Sequence, residues 1–190
     1  MQISKRMSSG KYIDFADFKA EDVSLTDITN SLNCLYRFTG HHKDKKPLTV
    51  AQHTWLCVEL AKLMFPNEKD VQFGCLLHDM PEAYYGDVAT PFKRLLGSSL
   101  KDITNYFDEQ VYHALWKPQY IFDEELESKV KMCDLASLDI ERRNMWKSQH
   151  GKDNWPDTPS VGLSLLEKEL WFDQAQAIDF VDLEAIWLKY

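Results

Sequence analysis

The chain has little of what marks a secreted, membrane or nucleic-acid-binding protein. No apolar run is long enough to span a bilayer, and the start lacks a charged-then-apolar leader pattern. Positive charge is in deficit: 22 Lys and Arg against 30 Asp and Glu leave a formal net charge of −8. Bulk attraction to nucleic acid or to an anionic membrane is therefore not expected, although a local basic pocket or a metal can still hold a small anion. Cysteine is sparse. Cys34, Cys57, Cys75 and Cys133 sit in apolar surroundings without CxxC spacing, which predicts reduced core residues of a cytoplasmic protein, not disulfides or a zinc knuckle. Internal repeats and low-complexity linkers are missing. So are HExxH, a Walker-type loop, GxGxxG and GxSxG, which removes several large enzyme classes.

What is present is a well-supplied core. Hydrophobic residues make up 44% of 190, enough for one domain over residues 1–190. Few segments alternate with period two, so the expected fold class is all-α, an irregular helical bundle. Lys11 to Phe15 reads as extended. A helix is expected from Ser24 or Thr26, with Leu25, Ile28, Leu32 and Leu35 inward, ending near Gly40. Thr49 with Gln52 forms a capping box that starts a helix carrying Val50, His53, Cys57, Leu60, Ala61 and Met64 on one face. Further helices are expected over Lys69 to Asp79, Phe92 to Leu96, Leu100 to Trp116 and Phe122 to His150. The last of these carries Leu126, Val130, Cys133, Asp134, Ser137 and Glu141 on one stripe. A loop over Gly151 to Pro159 precedes one or two C-terminal helices within Leu163 to Trp187.

The chemistry centres on His78-Asp79. An apolar run from Val71 to Leu77, broken only by Gln72, leads into an imidazole and a carboxylate, with Glu82 close behind. Burying an unpaired carboxylate is costly, so such a cluster calls for a cation. His and carboxylate together suit zinc, manganese, cobalt or iron. His53 and Asp134 are further ligand types on apolar helix faces. Singly, each has an ordinary reading: a satisfied core histidine, or an aspartate paired with Arg142 or Arg143. Jointly, two neutral imidazoles and two carboxylates would balance a divalent ion and leave coordination positions open.

The order His53 … His78-Asp79 … Asp134 resembles the HD-domain metal-dependent phosphohydrolases. Arg37-Phe38, Val50-Ala51-Gln52-His53, Leu77-His78-Asp79, Glu82, Gly86-Asp87 and Thr90-Pro91-Phe92-Lys93 are similar to the 5′-deoxynucleotidase branch. The likeness runs from about Asp27 to Arg143, and extends to small phage dATP triphosphohydrolases. It implies a divalent metal (cobalt, manganese or zinc, with magnesium as a candidate second ion) on His53, His78, Asp79 and Asp134. It implies Glu82 and Asp87 as the catalytic carboxylates, one aligning the attacking water and one protonating the departing 5′-oxygen. Arg37, Phe38 and Lys93 become substrate contacts, the two cations on phosphate. The implied reaction is water attack at the α-phosphorus of a deoxynucleotide, most simply a deoxynucleoside triphosphate giving nucleoside and tripolyphosphate. The extra cations Arg94 and Lys43 to Lys46 favour the longer phosphate chain over the monophosphate of a 5′-deoxynucleotidase. A homo-oligomer is implied as well, with no stable partnership with nucleic acid or membrane. Two readings of other classes stand beside it: a nucleotide sensor that binds without turnover, and a helical interaction protein whose His and Asp residues satisfy one another.

Overall fold

A computed structural model describes residues 3–146 and 162–190. Among these residues the fold is all-α, decorated by one small hairpin. The hairpin pairs β1 (Ser4–Arg6) with β2 (Tyr12–Asp14) in antiparallel register, Lys5 opposite Ile13. Its second strand takes up the middle of the extended segment expected at Lys11 to Phe15, while Phe15 opens a 3₁₀ turn (Phe15–Asp17), and Ile13 is buried in the core.

The helices are α1 (Leu25–Leu32), α2 (Val50–Met64), α3 (Lys69–Leu77), α4 (Glu82–Tyr85), α5 (Thr90–Leu96), α6 (Ser98–Leu115), α7 (Glu124–Trp146), α8 (Leu165–Gln176) and α9 (Leu183–Trp187). The centre is built from α2, α3 and α7, which all pack on one another, with α8 laid against α2 and α7. Gly74 makes the α3–α7 contact tight. A Cβ there would lie 2.7 Å from Val130 Cγ2, so this position is glycine for want of space.

Local chemistry sets the boundaries. Ser24 accepts from the Asp27 amide and starts α1. The expected extension of α1 to Gly40 is not found: the helix stops at Leu32, because Asn33 donates to the Thr29 and Val181 carbonyls and turns the chain. Tyr36 then bridges Thr49, and the Arg37 amide bonds the Leu48 carbonyl. Thr49 and Gln52 form the expected capping box. The α3 helix ends at Leu77, two residues short of expectation, with His78 as its cap. Pro81 (φ −61°, ψ −26°) opens the new turn of α4. The expected end at His150 and the loop Gly151 to Pro159 lie outside the described residues. The cysteine expectation fails at one position, since Cys34 is exposed while Cys57, Cys75 and Cys133 are buried. Cys34 follows α1 in the turn toward Tyr36, so no helix face carries it inward. Among the described residues no helix is long and apolar enough to cross a membrane.

Candidate metal centre

Three helical segments carry the four expected ligands to one point. His53 comes from the first turn of α2, His78 and Asp79 from the end of α3, and Asp134 from the middle of α7. Around His53 Nε2 stand His78 Nε2 at 3.4 Å, Asp79 Oδ2 at 3.4 Å and Asp134 Oδ1 at 3.5 Å. His78 Nε2 lies 3.3 Å from Asp79 Oδ2. A tetrahedral ion with bonds of about 2.0–2.1 Å separates its ligand atoms by about 3.4 Å, so these separations have the size a metal requires.

The protons explain why a cation is needed. His78 Nδ1 is 2.7 Å from the Cys75 carbonyl, which can only accept, so Nδ1 carries the hydrogen. His53 Nδ1 is 2.7 Å from Glu141 Oε1, a carboxylate acceptor, so it carries a hydrogen too. In neutral imidazoles both Nε2 atoms are then bare lone pairs, and they face each other and two carboxylates. Asp79 Oδ2 is buried without a hydrogen bond, as is Glu82 Oε2. Such a set of acceptors is stable only around a proton or a metal. Burial opposes charge on both imidazoles and the Arg37 guanidinium opposes it further at His53. Cys57, Glu141 and Asp134 around His53, and Asp79 and Cys57 around His78, outweigh this and hold both pKa values well above the usual range. Burial likewise disfavours the carboxylates, yet His78, His53 and Arg37 hold Asp79 low, and His53, His78 and Lys131 hold Asp134 low. Without metal, protons on the imidazoles do the neutralising.

Arg37 lies beside the centre on a short 3₁₀ turn, Arg37–Gly40, in which Phe38 and Thr39 adopt φ of 54° and 51°. Left-handed backbone at two non-glycine residues is uncommon and is held here by surrounding contacts. The guanidinium reaches Glu141 Oε2 at 3.5 Å, Asp79 Oδ2 at 3.7 Å and Asp87 Oδ2 at 3.8 Å. The Arg37 group also sits over the Phe38 ring at 5.5 Å, and that ring packs edge-on against Trp146.

Glu82 and Asp87 stand at the edge of the centre, beside Asp79 and Arg37. Glu82 is buried. Its desolvation, then the charges of Asp79 and Asp87, push its carboxyl up to about 8. Lys93, exposed on α5, approaches Glu82 Oε1 at 3.5 Å. All nine expected site residues thus line one region. Other expectations fall away. Asp134 pairs with Lys131, while Arg142 and Arg143 grip Asp139, one or two turns further along α7 and nearer their own positions. Lys45 is bound to Glu169 and Asp173 on α8 and is turned from the centre.

Three further participants lie on the expected helix faces. Glu141, fully buried, orients His53 and holds Arg37. Ser137 Oγ is 3.0 Å from His53 Nδ1. Cys57 Sγ is 3.5 Å from His53 Nε2. The available signal was polarity at core positions: Ser137 and Glu141 share a stripe with Asp134, and Cys57 follows His53 by one turn.

No protein-family profile matches the chain. The chain is 32% identical to the uncharacterized protein YfdR of Escherichia coli (strain K12) over 137 residues, 72% of this chain and 69% of the other. It is 27% identical over 138 residues to an uncharacterized protein of Rhodobacter capsulatus, covering 72% and 70%. The chain belongs to the YfdR family.

Proposed function

We propose that the chain is a metal-dependent phosphohydrolase of the HD type. Its substrate would be a deoxynucleotide cut between the 5′-oxygen and the α-phosphorus, most simply a triphosphate. One observation carries the reading. Two imidazoles whose Nδ1 atoms meet the acceptors Glu141 and the Cys75 carbonyl bring their Nε2 atoms together beside Asp79 and Asp134. That donor set suits zinc, cobalt or manganese, held by His53, His78, Asp79 and Asp134. The ion would supply Lewis acidity for a phosphoryl oxygen and acidify bound water.

The chain's own residues divide the remaining work. Arg37 sits at the edge of the cluster with its charge shared among three carboxylates, so it can turn part of its fork to a phosphate oxygen. Glu82, protonated near neutral pH, carries a proton where a departing alkoxide would need one. Asp87 holds Arg37 in place and is the second carboxylate within reach. Lys93 is exposed enough to meet further phosphates. Phe38, half-buried, lies beside Arg37, where a sugar or base would meet it. A 5′-deoxynucleotidase uses the same bond and the same residues; the two differ in the length of phosphate chain accepted.

The neutral, buried Glu82 beside the centre favours turnover over sensing, because binding alone gains nothing from a proton held there. Asp79 Oδ2, buried without a hydrogen bond, favours the metal reading over mutual satisfaction of His and Asp. The test is a turnover screen of the mono- and triphosphates of all deoxynucleosides with manganese, cobalt and magnesium in turn. Hydrolysis at the 5′-oxygen supports the proposal. No product from any pairing, in protein shown to contain metal, would return the chain to the sensor reading.

A further inference from the structure

Cys57 stands one helical turn after His53 on α2, and both side chains are fully buried. Its sulfur is 3.5 Å from His53 Nε2. Donor atoms of His53, Cys57 and His78 all fall within 4.8 Å of one another. A metal with bonds of about 2.3 Å to sulfur and about 2.0–2.1 Å to nitrogen separates those atoms by about 3.6 Å when tetrahedral. The sulfur is therefore as well placed for the ion as Asp134 is, whose Oδ1 is also 3.5 Å from His53 Nε2. A second observation points the same way. Asp79 Oδ2, buried and without a hydrogen bond, contacts both imidazole Nε2 atoms, which marks the space between these groups as the place for a cation.

We infer that Cys57 is a further ligand of the metal centre, so that the bound ion carries a thiolate from α2 beside the His and Asp donors. This rests on the metal reading above. The consequence is selectivity. A thiolate is a soft, anionic donor, and it shifts a mixed imidazole–carboxylate site from magnesium and manganese toward zinc and cobalt.

Cobalt reports this directly, because a thiolate bound to cobalt(II) gives an intense near-ultraviolet charge-transfer band that imidazole and carboxylate do not. The native chain titrated with cobalt should show that band. Cys57→Ser should still bind cobalt, through His53, His78, Asp79 and Asp134, but without the band, and its preference for zinc over manganese should fall by about tenfold or more. Cys34→Ser should behave as the native chain, which excludes the exposed thiol. X-ray absorption at the zinc edge of the native chain needs no variant, and a sulfur neighbour at about 2.3 Å is expected. Cobalt bound to the native chain with no charge-transfer band would overturn the assignment of Cys57 and leave the metal centre standing. Failure of the native chain to bind cobalt or zinc at all would overturn both.

Discussion

Replacing Glu141 by Ala removes the carboxylate on which both His53 and Arg37 lean. Glu141 Oε1 accepts from His53 Nδ1 at 2.7 Å, Oε2 faces Arg37 Nε at 3.5 Å, and the carboxylate has no exposure to solvent. Breaking a buried ion pair by deleting one partner costs about 3–5 kcal/mol. Arg37 keeps Asp79 and Asp87 at 3.7 and 3.8 Å, and His53 keeps the Ser137 hydroxyl at 3.0 Å. The lower end, about 3 kcal/mol, is therefore expected for the metal-free chain. Loss of the orienting carboxylate frees the imidazole to exchange tautomers, so metal affinity should fall by about 10–100-fold. Glu141→Gln keeps an acceptor oxygen and should lose less of both. Urea unfolding in chelator measures the first effect, and calorimetric titration with manganese or cobalt the second. Unchanged metal affinity in Glu141→Ala would refute the orienting role, even if stability falls.

Glu82→Gln gives a pH signature. The native carboxyl is protonated up to about 8 where the ordinary value is 4.5, so its stabilising share is complete below 4.5 and is lost as pH rises toward 8. Metal-free native protein should lose stability relative to Glu82→Gln across that window, and identical pH dependence of the two urea midpoints would contradict it. Lys93→Ala should lower triphosphate turnover by about tenfold or more, the scale of a lost charge-assisted contact, with a smaller effect on any monophosphate turnover; the opposite ranking favours the 5′-deoxynucleotidase alternative. Gly74→Ala should destabilise by about 1–3 kcal/mol through collision with Val130, less up to about 1 kcal/mol of helix propensity. A higher urea midpoint for Gly74→Ala would show that the α3–α7 contact is looser than it stands here.

Much of this arrangement is legible in the sequence, because helix signals are local. Thr49 and Gln52, the apolar run before His78, and Pro81 each act within a few residues, and the elements they mark are where expected. Polar residues on apolar stripes likewise mark His53 and Asp134 from the sequence alone. Long-range partners are harder to read. Nothing local tells that Asn33 will bond the Val181 carbonyl and so end α1 early. Arg142 and Arg143 lie eight and nine residues after Asp134 but three and four after Asp139, and the helix geometry hands them to the nearer acid. Glu141 is on the Asp134 stripe, yet its partners His53 and Arg37 lie 88 and 104 residues away in the chain, so its role emerges only when α2 and α7 meet. Cys57 was hidden by its type, since a buried cysteine is ordinary core material until imidazoles are seen beside it.

The most direct test is product analysis of a deoxynucleoside triphosphate incubated with the native chain and with Asp134→Ala, each assayed for bound metal in the same preparation. Native protein should hold a divalent metal and release deoxynucleoside with intact tripolyphosphate. Asp134→Ala should lose both metal and turnover, because it removes an anionic ligand contributed from a helix remote in sequence from His78-Asp79. Release of pyrophosphate with a monophosphate would contradict the bond assignment, and full metal content with full turnover in Asp134→Ala would contradict the centre itself.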